Sequence, residues 1–366
     1  MQARIVMLVD LDYFFAQIEE KRNPALKDKP VVVCVYSGRT KDSGAVSTAN
    51  YVAREYGVKS GIPISLAKTK LKDVDAVFLP VDKEYYKKVS DKIMVILRGY
   101  ADLFEQVSVD EAYLDVTQKT RGSYLDASEL SARIKDDVFN QQQLTCSIGV
   151  GPNKLVAKIA ADYQKPDGLT VVKPEYIRRF LFPLPVRRLV GVGKKTEQRL
   201  ETLGIKTIAQ LARFDIQRLV DLFGRNLATY FHNAASGIDE DPVEERGEPE
   251  SLSKITTLKE DTNDIATILP EAYRLCKEVH KKLTQRQLVY RSVSIYVVAT
   301  DLSVHSRSKT FENPTTDLQL LKETVKELFE KFLAETDIEA RRAGVKVSNL
   351  NKKEAMQKQL TSFFGG

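Results

Sequence analysis

Asp110 and Glu111 stand side by side in QVSVDEAYLDV, with Val107 and Val109 before them and Ala112, Tyr113, Leu114 and Val116 after. Adjacent acids inside a β-like apolar pattern are either a solvated turn or half of a metal site that needs a third ligand. Asp10 is the candidate third ligand. It closes the apolar run Ile5 to Val9, and a carboxylate at the end of a buried strand needs a partner. Three carboxylates meeting at one sheet edge repel, and each resists ionisation in low dielectric. Mg²⁺ removes that penalty, because it is hard, takes oxygen ligands and fills its shell with waters and phosphates. Two such ions about 4 Å apart would activate an attacking hydroxyl and steady a leaving pyrophosphate. Spacing alone leaves the turn and the metal site both open.

A triphosphate also needs cations and hydroxyl donors. In TANYVAR, Thr48, Tyr51 and Arg54 lie three apart, which predicts one shared face of a helical turn. An ordinary amphipathic surface helix reads the same way. VGVGKKTEQRLETLGI predicts helix, glycine turn, helix. Gly191 and Gly193 permit a tight turn whose amides, with the next helix N-terminus, can face a phosphate beside Lys194 and Lys195. A second version surrounds Gly224 and Arg225 in LVDLFGRNLATYF.

The elements that must position these residues follow from hydrophobic period. A buried strand ends at Asp10, and YFFAQIEEKRNP reads as a short helix stopping before Pro24. Strands VVVCVY and AVFLPV flank a Gly-rich charged loop and two short helices. Lys83 to Tyr100 is a long helix with Tyr86, Val89, Ile93, Ile96 and Leu97 on one face. After the strand pair around Asp110 and Glu111 come the helix SELSARIKDDVFNQ, the strand LTCSIGVG and the helix opening NKLVAKIAADYQKPDG. Strand, helix, strand, strand, helix, strand is the ferredoxin-like order, here with an inserted lobe at 24–80. From 173 to 238 the chain changes to short helices. IDEDPVEERGEPE is acidic, without apolar period, and reads as a linker over 239–250. Four strands and two helices over 251–350 make a second α/β domain with one open sheet face. The fold class is α+β.

With 366 residues and 43% hydrophobic content, the chain is expected to fold as several soluble domains. A net charge of +6 is weak evidence for a polyanionic partner. Cys34, Cys146 and Cys276 are odd in number and far apart, which suits buried thiols in a reducing compartment. His232, His280 and His305 show no zinc-site spacing. The strand-like opening RIVMLVDLD leaves no room for a signal peptide, and no apolar run reaches membrane-spanning length, so a cytoplasmic location is expected.

The chain resembles the Y-family (DinB-like) translesion DNA polymerases, in particular archaeal ones, over essentially its full length. MLVDLDYFFAQIEE, STANYVAREYGVKSGIP, SVDEAYLD, GVGPNKLVAKIAADYQKPDG and LVGVGKKTEQRLETLGI carry the likeness, in order. It implies a right-hand polymerase: palm at 1–23 and 81–172, fingers at 24–80, thumb at 173–238, little finger at 251–350 and a tail at 351–366. It assigns Asp10, Asp110 and Glu111 as catalytic metal-binding carboxylates, with the Leu11 carbonyl added, and Mg²⁺ as cofactor with Mn²⁺ as a substitute. Thr48, Tyr51, Arg54 and Lys165 would bind the triphosphate with the amides of Tyr13 and Phe14. Phe15 would stack on the deoxyribose and exclude a 2′-hydroxyl, while Gly44, Ala45 and Ser47 roof the templating base.

Arg291, Arg307 and Lys309 of the C-terminal domain would contact duplex phosphates. The acidic linker departs from the more basic one of close archaeal relatives. Gln357, Leu360, Phe363 and Phe364 form Q-x-x-L-x-x-F-F, which resembles a sliding-clamp binding peptide. The implied partners are primer–template DNA, dNTPs and a PCNA-like clamp, with no membrane, and the chain is expected to be a monomer. A palm-fold nucleotide cyclase would not need the second basic domain or the clamp tail. A non-catalytic clamp-recruiting scaffold would be expected to lose a carboxylate, and all three are present.

Overall fold

The computed structural model describes residues 4–245 and 247–353. The chain divides into two compact units, Met1–Val35 with Ala45–Arg246, and Tyr36–Gly44 with Gly247–Gly366. The first begins with β1 (Val6–Leu11), α1 (Phe14–Arg22), β2 (Val31–Tyr36), β3 (Gly44–Ala49), α2 (Tyr51–Glu55), α3 (Ile64–Lys70) and β4 (Val77–Pro80). It continues with α4 (Lys83–Tyr100), β5 (Leu103–Gln106), β6 (Glu111–Asp115), α5 (Tyr124–Gln142), β7 (Cys146–Gly151), α6 (Lys154–Ala161) and β8 (Leu169–Val171).

Five strands form one sheet in the order β5-β6-β1-β7-β8. β1 runs antiparallel to both neighbours, and β8 adds in parallel beside β7. Without β8, the run β1-α4-β5-β6-α5-β7 is the expected ferredoxin-like unit. Alternation along β1 assigns its two faces. Ile5, Met7, Val9 and Leu11 join a core with Tyr86, Ile93 and Leu97 of α4 and Ile134 and Val138 of α5. Val6 and Leu8 turn the other way, to Tyr113 of β6 and Ala157 and Ala161 of α6.

That second face is covered at unusually short range. A Cβ on Gly149 would lie 2.0 Å from the Ala157 carbonyl oxygen and 2.2 Å from the Ala161 nitrogen. A Cβ on Gly151 would meet Val156 at 2.8 Å. The two glycines of GVG thus let α6 lie directly on β7, backbone against backbone.

The inserted lobe is a three-stranded sheet, β3-β2-β4, with its own core of Val32, Val46, Ala53, Ile64 and Ala67. After β8 the unit turns helical: α7 (Ile177–Leu181), α8 (Lys194–Thr202), α9 (Ile208–Ala212), α10 (Ile216–Phe223) and α11 (Arg225–Ala235), packed around Leu200, Leu211, Leu219 and Phe231. Gly224 joins α10 to α11 at φ 76° and Gly191 precedes α8 at φ 85°, left-handed positions that favour glycine. The element before Gly191 is only a 3₁₀ turn, Val186–Arg188, where a helix was expected.

The acidic stretch after Gly237 is not an open linker along its described length up to Glu245. Asp239 accepts the Leu155 amide at 2.8 Å, and Arg4 donates to the Asp241 carbonyl at 2.7 Å. Val243 is buried against Val6, Leu8 and Tyr113, while Glu245 pairs with Arg98 at 2.7 Å. A single apolar residue among acids has no periodicity, so composition concealed this strap.

The second unit holds β9 (Ser251–Thr262), α12 (Ile265–Arg286), β10 (Leu288–Ala299), β11 (Val304–Thr315), α13 (Leu318–Glu335), β12 (Ala340–Ser348) and β13 (Asn351–Lys352). Its sheet order is β11-β10-β12-β9. Val293, Ile295 and Val297 pack with Val345, Val347 and the apolar stripes of α12 and α13. The four long strands and two helices match expectation. Among the described residues no helix is long and apolar enough to cross a membrane; all three cysteines are buried, Cys146 and Cys276 as free thiols.

Candidate active site

Asp10 and Glu111 are direct cross-strand partners at the ends of β1 and β6. Paired residues in an antiparallel ladder share a face, so both acids lie on the face covered by α6. Asp110 is one residue before β6, and its carbonyl accepts the Leu11 amide at 2.8 Å. The three acids therefore gather at strand ends in the middle of the sheet, not at a sheet edge as expected. β1 is flanked on both sides, so its end is interior to the strand order.

Ser108 shapes the turn. Its hydroxyl oxygen accepts the amides of Asp110 and Glu111 at 3.2 and 3.1 Å and donates to the Asp110 carboxylate. Sequence reading passed over this serine, although Ser two and three residues before a pair of amides is a turn signal. Asp12 was missed as well. Buried to 1% exposure, it accepts from Ser147 Oγ at 2.7 Å, Thr145 Oγ1 at 2.9 Å and the Asp167 amide at 2.9 Å. It thereby ties the end of β1 to β7 and to the turn after Lys165.

Lysines meet the acids. Lys165 Nζ lies 2.7 Å from Asp10 and 2.9 Å from Asp162. Lys158 Nζ lies 2.6 Å from Glu111. Burial pushes the Asp10 carboxyl up to about 6; attraction to Lys165 pulls the other way, and repulsion from Asp162 and Asp110 adds to the rise. Burial works against the Lys165 ammonium too, but Asp10 and Asp162 outweigh it and hold the lysine above its ordinary value. The lysine thus stays charged while Asp10 bears a burial cost that Lys165 offsets only in part.

Does this set suit a metal? Its donors are all oxygen, which fits a hard divalent cation, and a cation at Asp10 would relieve that cost. With the acids engaged by Lys165, Lys158 and Ser108, no three His, Cys, Asp or Glu side chains among the described residues close into a metal-holding cluster. The residues fit the ion in chemistry, and lysines stand where positive charge is needed.

Next to Asp10, α1 starts with Tyr13 at φ 36°, a left-handed conformation costing a non-glycine residue roughly 1–3 kcal/mol. No side chain caps this helix. Its first amides, those of Phe14 and its neighbours, have no intrahelical acceptor and form an anion-facing end. Tyr13 Oη donates to Glu20 at 3.1 Å, and its ring meets Tyr51 edge-on at 5.2 Å. Phe15 stacks on the buried Tyr86 ring at 4.5 Å, and Tyr86 is anchored through its hydroxyl to Glu19 at 2.7 Å.

Thr48, Tyr51 and Arg54 do not share a helical face. The β3 ladder runs through Ala49, and α2 starts only at Tyr51, after Asn50 caps it by accepting the Ala53 amide at 3.0 Å. Thr48 is a strand residue. Tyr51 and Arg54 do stay together, the guanidinium 4.7 Å from the ring centre. The Tyr51 hydroxyl is buried and has no hydrogen-bond partner among the described residues, which calls for a ligand acceptor or donor. Gly44, Ala45 and Ser47 lie half-buried on β3.

Gly193 precedes α8 without a side-chain cap, and Lys194 and Lys195 are exposed on its first turn. In the second unit, Arg291 is exposed and donates to the Phe311 carbonyl at 3.3 Å. Lys309 and Arg307 lie opposite Val293 and Ile295, on the helix-covered side of edge strand β11. They pair with Glu327 and Glu335 of α13 at 2.7 and 2.9 Å. The open face instead carries Ser294, Ser308, Ser253 and Lys346 in cross-strand register, and Lys346 was missed. Gln357, Leu360, Phe363 and Phe364 lie outside the described residues.

Comparison with known proteins accounts for the whole chain. Residues 9–162 match the model of the impB/mucB/samB family, residues 187–239 that of the DNA polymerase-iota thumb domain, and residues 249–361 that of the impB/mucB/samB C-terminal domain. The chain is 48% identical over 365 residues to DNA polymerase IV of Nitrosopumilus maritimus, covering 100% of each. It is 40% identical to DNA polymerase IV of Saccharolobus solfataricus, covering 94% of this chain and 96% of that one. Among solved structures it is similar to a Y-family DNA polymerase chimera, with a TM-score of 0.89, 36% identity and coverage of 95% and 100%. The crystal structure of DinB from Sulfolobus solfataricus matches with a TM-score of 0.66, 35% identity and the same coverage. With whole-length identity of this order to named polymerases, the chain belongs to the DinB-like, archaeal-type Y family and is a DNA-directed DNA polymerase of the translesion class.

Proposed function

We propose that the chain extends a primer 3′-hydroxyl on a DNA template by nucleotidyl transfer from dNTPs, with Asp10, Asp110, Glu111 and the Leu11 carbonyl holding two Mg²⁺ ions. Polymerases of this family use divalent metals. The observation that carries the reading is the gathering of the three acids at the ends of β1 and β6, with the uncapped start of α1 following directly and Lys165 against Asp10. When bound, the ions supply charge that favours the ionised primer hydroxyl and the departing pyrophosphate. Solved relatives described as ternary complexes of Dbh DNA polymerase support DNA and dNTP as partners.

The protein's own groups do the rest. Lys165, Arg54 and the unpartnered Tyr51 hydroxyl offer charge-assisted bonds to a triphosphate, Thr48 adds a hydroxyl, and the first amides of α1 face its anionic oxygens. Phe15 is held in place by Tyr86 and excludes a ribose 2′-hydroxyl by bulk. Gly44, Ala45 and Ser47 leave room over the templating base, which permits damaged bases and relaxes shape checking. Gly191, Gly193, Lys194 and Lys195 hold duplex phosphates in the thumb, and Arg291 with the hydroxyl-rich open face of the little finger adds to that grip. Arg307 and Lys309 reach phosphates only by leaving Glu335 and Glu327. The tail pattern through Gln357, Leu360, Phe363 and Phe364 binds a sliding clamp. The enzyme acts as a cytoplasmic monomer.

Primer extension on undamaged and abasic templates tests this reading. Wild type should extend both with Mg²⁺, with Mn²⁺ substituting, and Asp110→Ala plus Glu111→Ala should lose all synthesis. Phe15→Ala should incorporate ribonucleotides. Removing residues 357–366 should abolish clamp stimulation and spare basal synthesis. A wild type that extends neither template sinks the proposal.

A further inference from the structure

Helix α6 faces the sheet with two lysines one turn apart, and each meets a carboxylate on a different strand. Lys154 Nζ is 2.7 Å from Glu105 of β5, and Lys158 Nζ is 2.6 Å from Glu111 of β6. The spacing i, i+4 puts both on one helix face, the face that carries Ala157 and Ala161 onto the sheet. The two pairs are not equivalent. Lys154 is held three ways, by Glu105, by the Pro242 carbonyl at 3.2 Å and over the Tyr113 ring at 5.3 Å. Lys158 has Glu111 as its one hydrogen-bond acceptor among the described residues. Its side chain keeps 29% exposure against 17% for Lys154.

We propose that Lys158 is a positioning residue, an internal counter-cation that occupies Glu111 whenever that carboxylate holds no metal and swings away when a divalent ion arrives. The inference rests on the reading of Asp10, Asp110 and Glu111 as metal-binding groups. Each of the three acids has a stand-in partner: Lys165 on Asp10, Ser108 on Asp110 and Lys158 on Glu111. Lys165 is shared with Asp162, so releasing Asp10 leaves it paired. Lys158 has a single tether, a four-carbon stem and solvent beside it. It can leave without stranding a buried charge. Without it, the carboxylates of the metal-free protein would repel across the strand pair. With it, a metal ion must displace an ammonium before taking Glu111. Lys158 therefore stabilises the metal-free fold and weakens metal binding by the same contact.

Mn²⁺ titration followed by electron paramagnetic resonance, on full-length protein without DNA or nucleotide, reads this directly. Lys158→Met should bind Mn²⁺ roughly twofold to fivefold more tightly than wild type, the scale of one partly exposed ion pair. Its melting temperature in chelator should fall, and the rise on adding Mn²⁺ should be larger than in wild type. Lys158→Gln, which keeps a polar head, should show the same signs in smaller measure, and Lys158→Arg should stay near wild type. Glu111→Gln should bind Mn²⁺ more weakly. If Glu111→Gln weakens binding while both Lys158→Met and Lys158→Gln bind Mn²⁺ as wild type does, or less tightly, the counter-cation role is overturned alone. If Glu111→Gln leaves Mn²⁺ binding unchanged, the metal reading fails and takes the inference with it.

Discussion

The two units solve the same packing problem and leave opposite residues inside. Each lays two long helices across one face of a sheet, mixed in the first and antiparallel in the second: α4 and α5 in the first, α12 and α13 in the second. In the first unit the other face is covered as well, because Gly149 and Gly151 admit α6 directly onto β7. In the second unit that face stays open and carries Ser, Thr and Lys side chains. The ion pairs differ too, although both lie on helix-covered faces. Lys154 and Glu105 are 17% and 7% exposed, whereas Lys309 and Glu327 are 44% and 57% exposed. Similar lengths, 2.7 Å in both cases, therefore carry different weight. An exposed pair contributes little, while breaking a buried one removes a poorly screened attraction from a charge that water does not reach.

Matched substitutions can break that comparison, and the largest effect should come from the covered sheet. Gly149→Ala puts a methyl into the backbone of α6 and should cost about 3 kcal/mol or more in denaturant unfolding. Gly344→Ala in the second unit meets Ile255 and Lys254 only at 3.3 Å and should cost under about 1 kcal/mol. Equal losses would mean that α6 can lift off β7 freely. Next, Lys154→Met should destabilise by roughly 3 kcal/mol, because the buried Glu105 loses the Lys154 ammonium.

The pH dependence of Asp10 should be smaller. Its folded value of about 6 lies above an ordinary 3.8, so between those values the folded chain holds a proton that the unfolded chain has released. Stability in chelator therefore falls as pH rises through that window, and above it the full cost is present. Asp10→Asn lacks the charge. It should be more stable than wild type by roughly 1–2 kcal/mol at pH 7.5, and the gap should close toward pH 4 in denaturant titrations. A gap that widens on acidification would reverse the sign and refute the burial cost. The smallest effect is Lys309→Met, expected within about 0.5 kcal/mol of wild type by the same titration.

Much of this division was legible in the sequence where the period was strong. Lys83–Tyr100 is a helix at the expected bounds, the two helices of the C-terminal domain are present, and the ferredoxin-like order follows from alternating apolar runs. Asp10 and Glu111 were readable because acids ending an apolar strand are conspicuous. Lys158 was not, since a lysine on a helix usually faces water and its partner lies 47 residues away. Thr48 was misplaced because a three-residue spacing does not show where strand becomes helix; the Asn50 cap decides that. Arg307 and Lys309 read as duplex-phosphate contacts because edge-strand charges look alike on either side until the register with Ile295 and Val293 is known.

The contact between α6 and β7 has a mechanical meaning. Where side chains separate a helix from a sheet, rotamer changes act as a compliant layer, and heat or a crowded neighbour can alter the spacing by tenths of an ångström. Here Gly149 faces Ala157 and Ala161 backbone atoms with no such layer between. The places where the Lys154 and Lys158 side chains leave α6 are therefore gauged against the acids by main-chain atoms, as a jig holds two parts before they are joined. The backbone frame that carries these lysines should yield on heating only when the helix itself detaches, so it should be lost in one cooperative step with the fold.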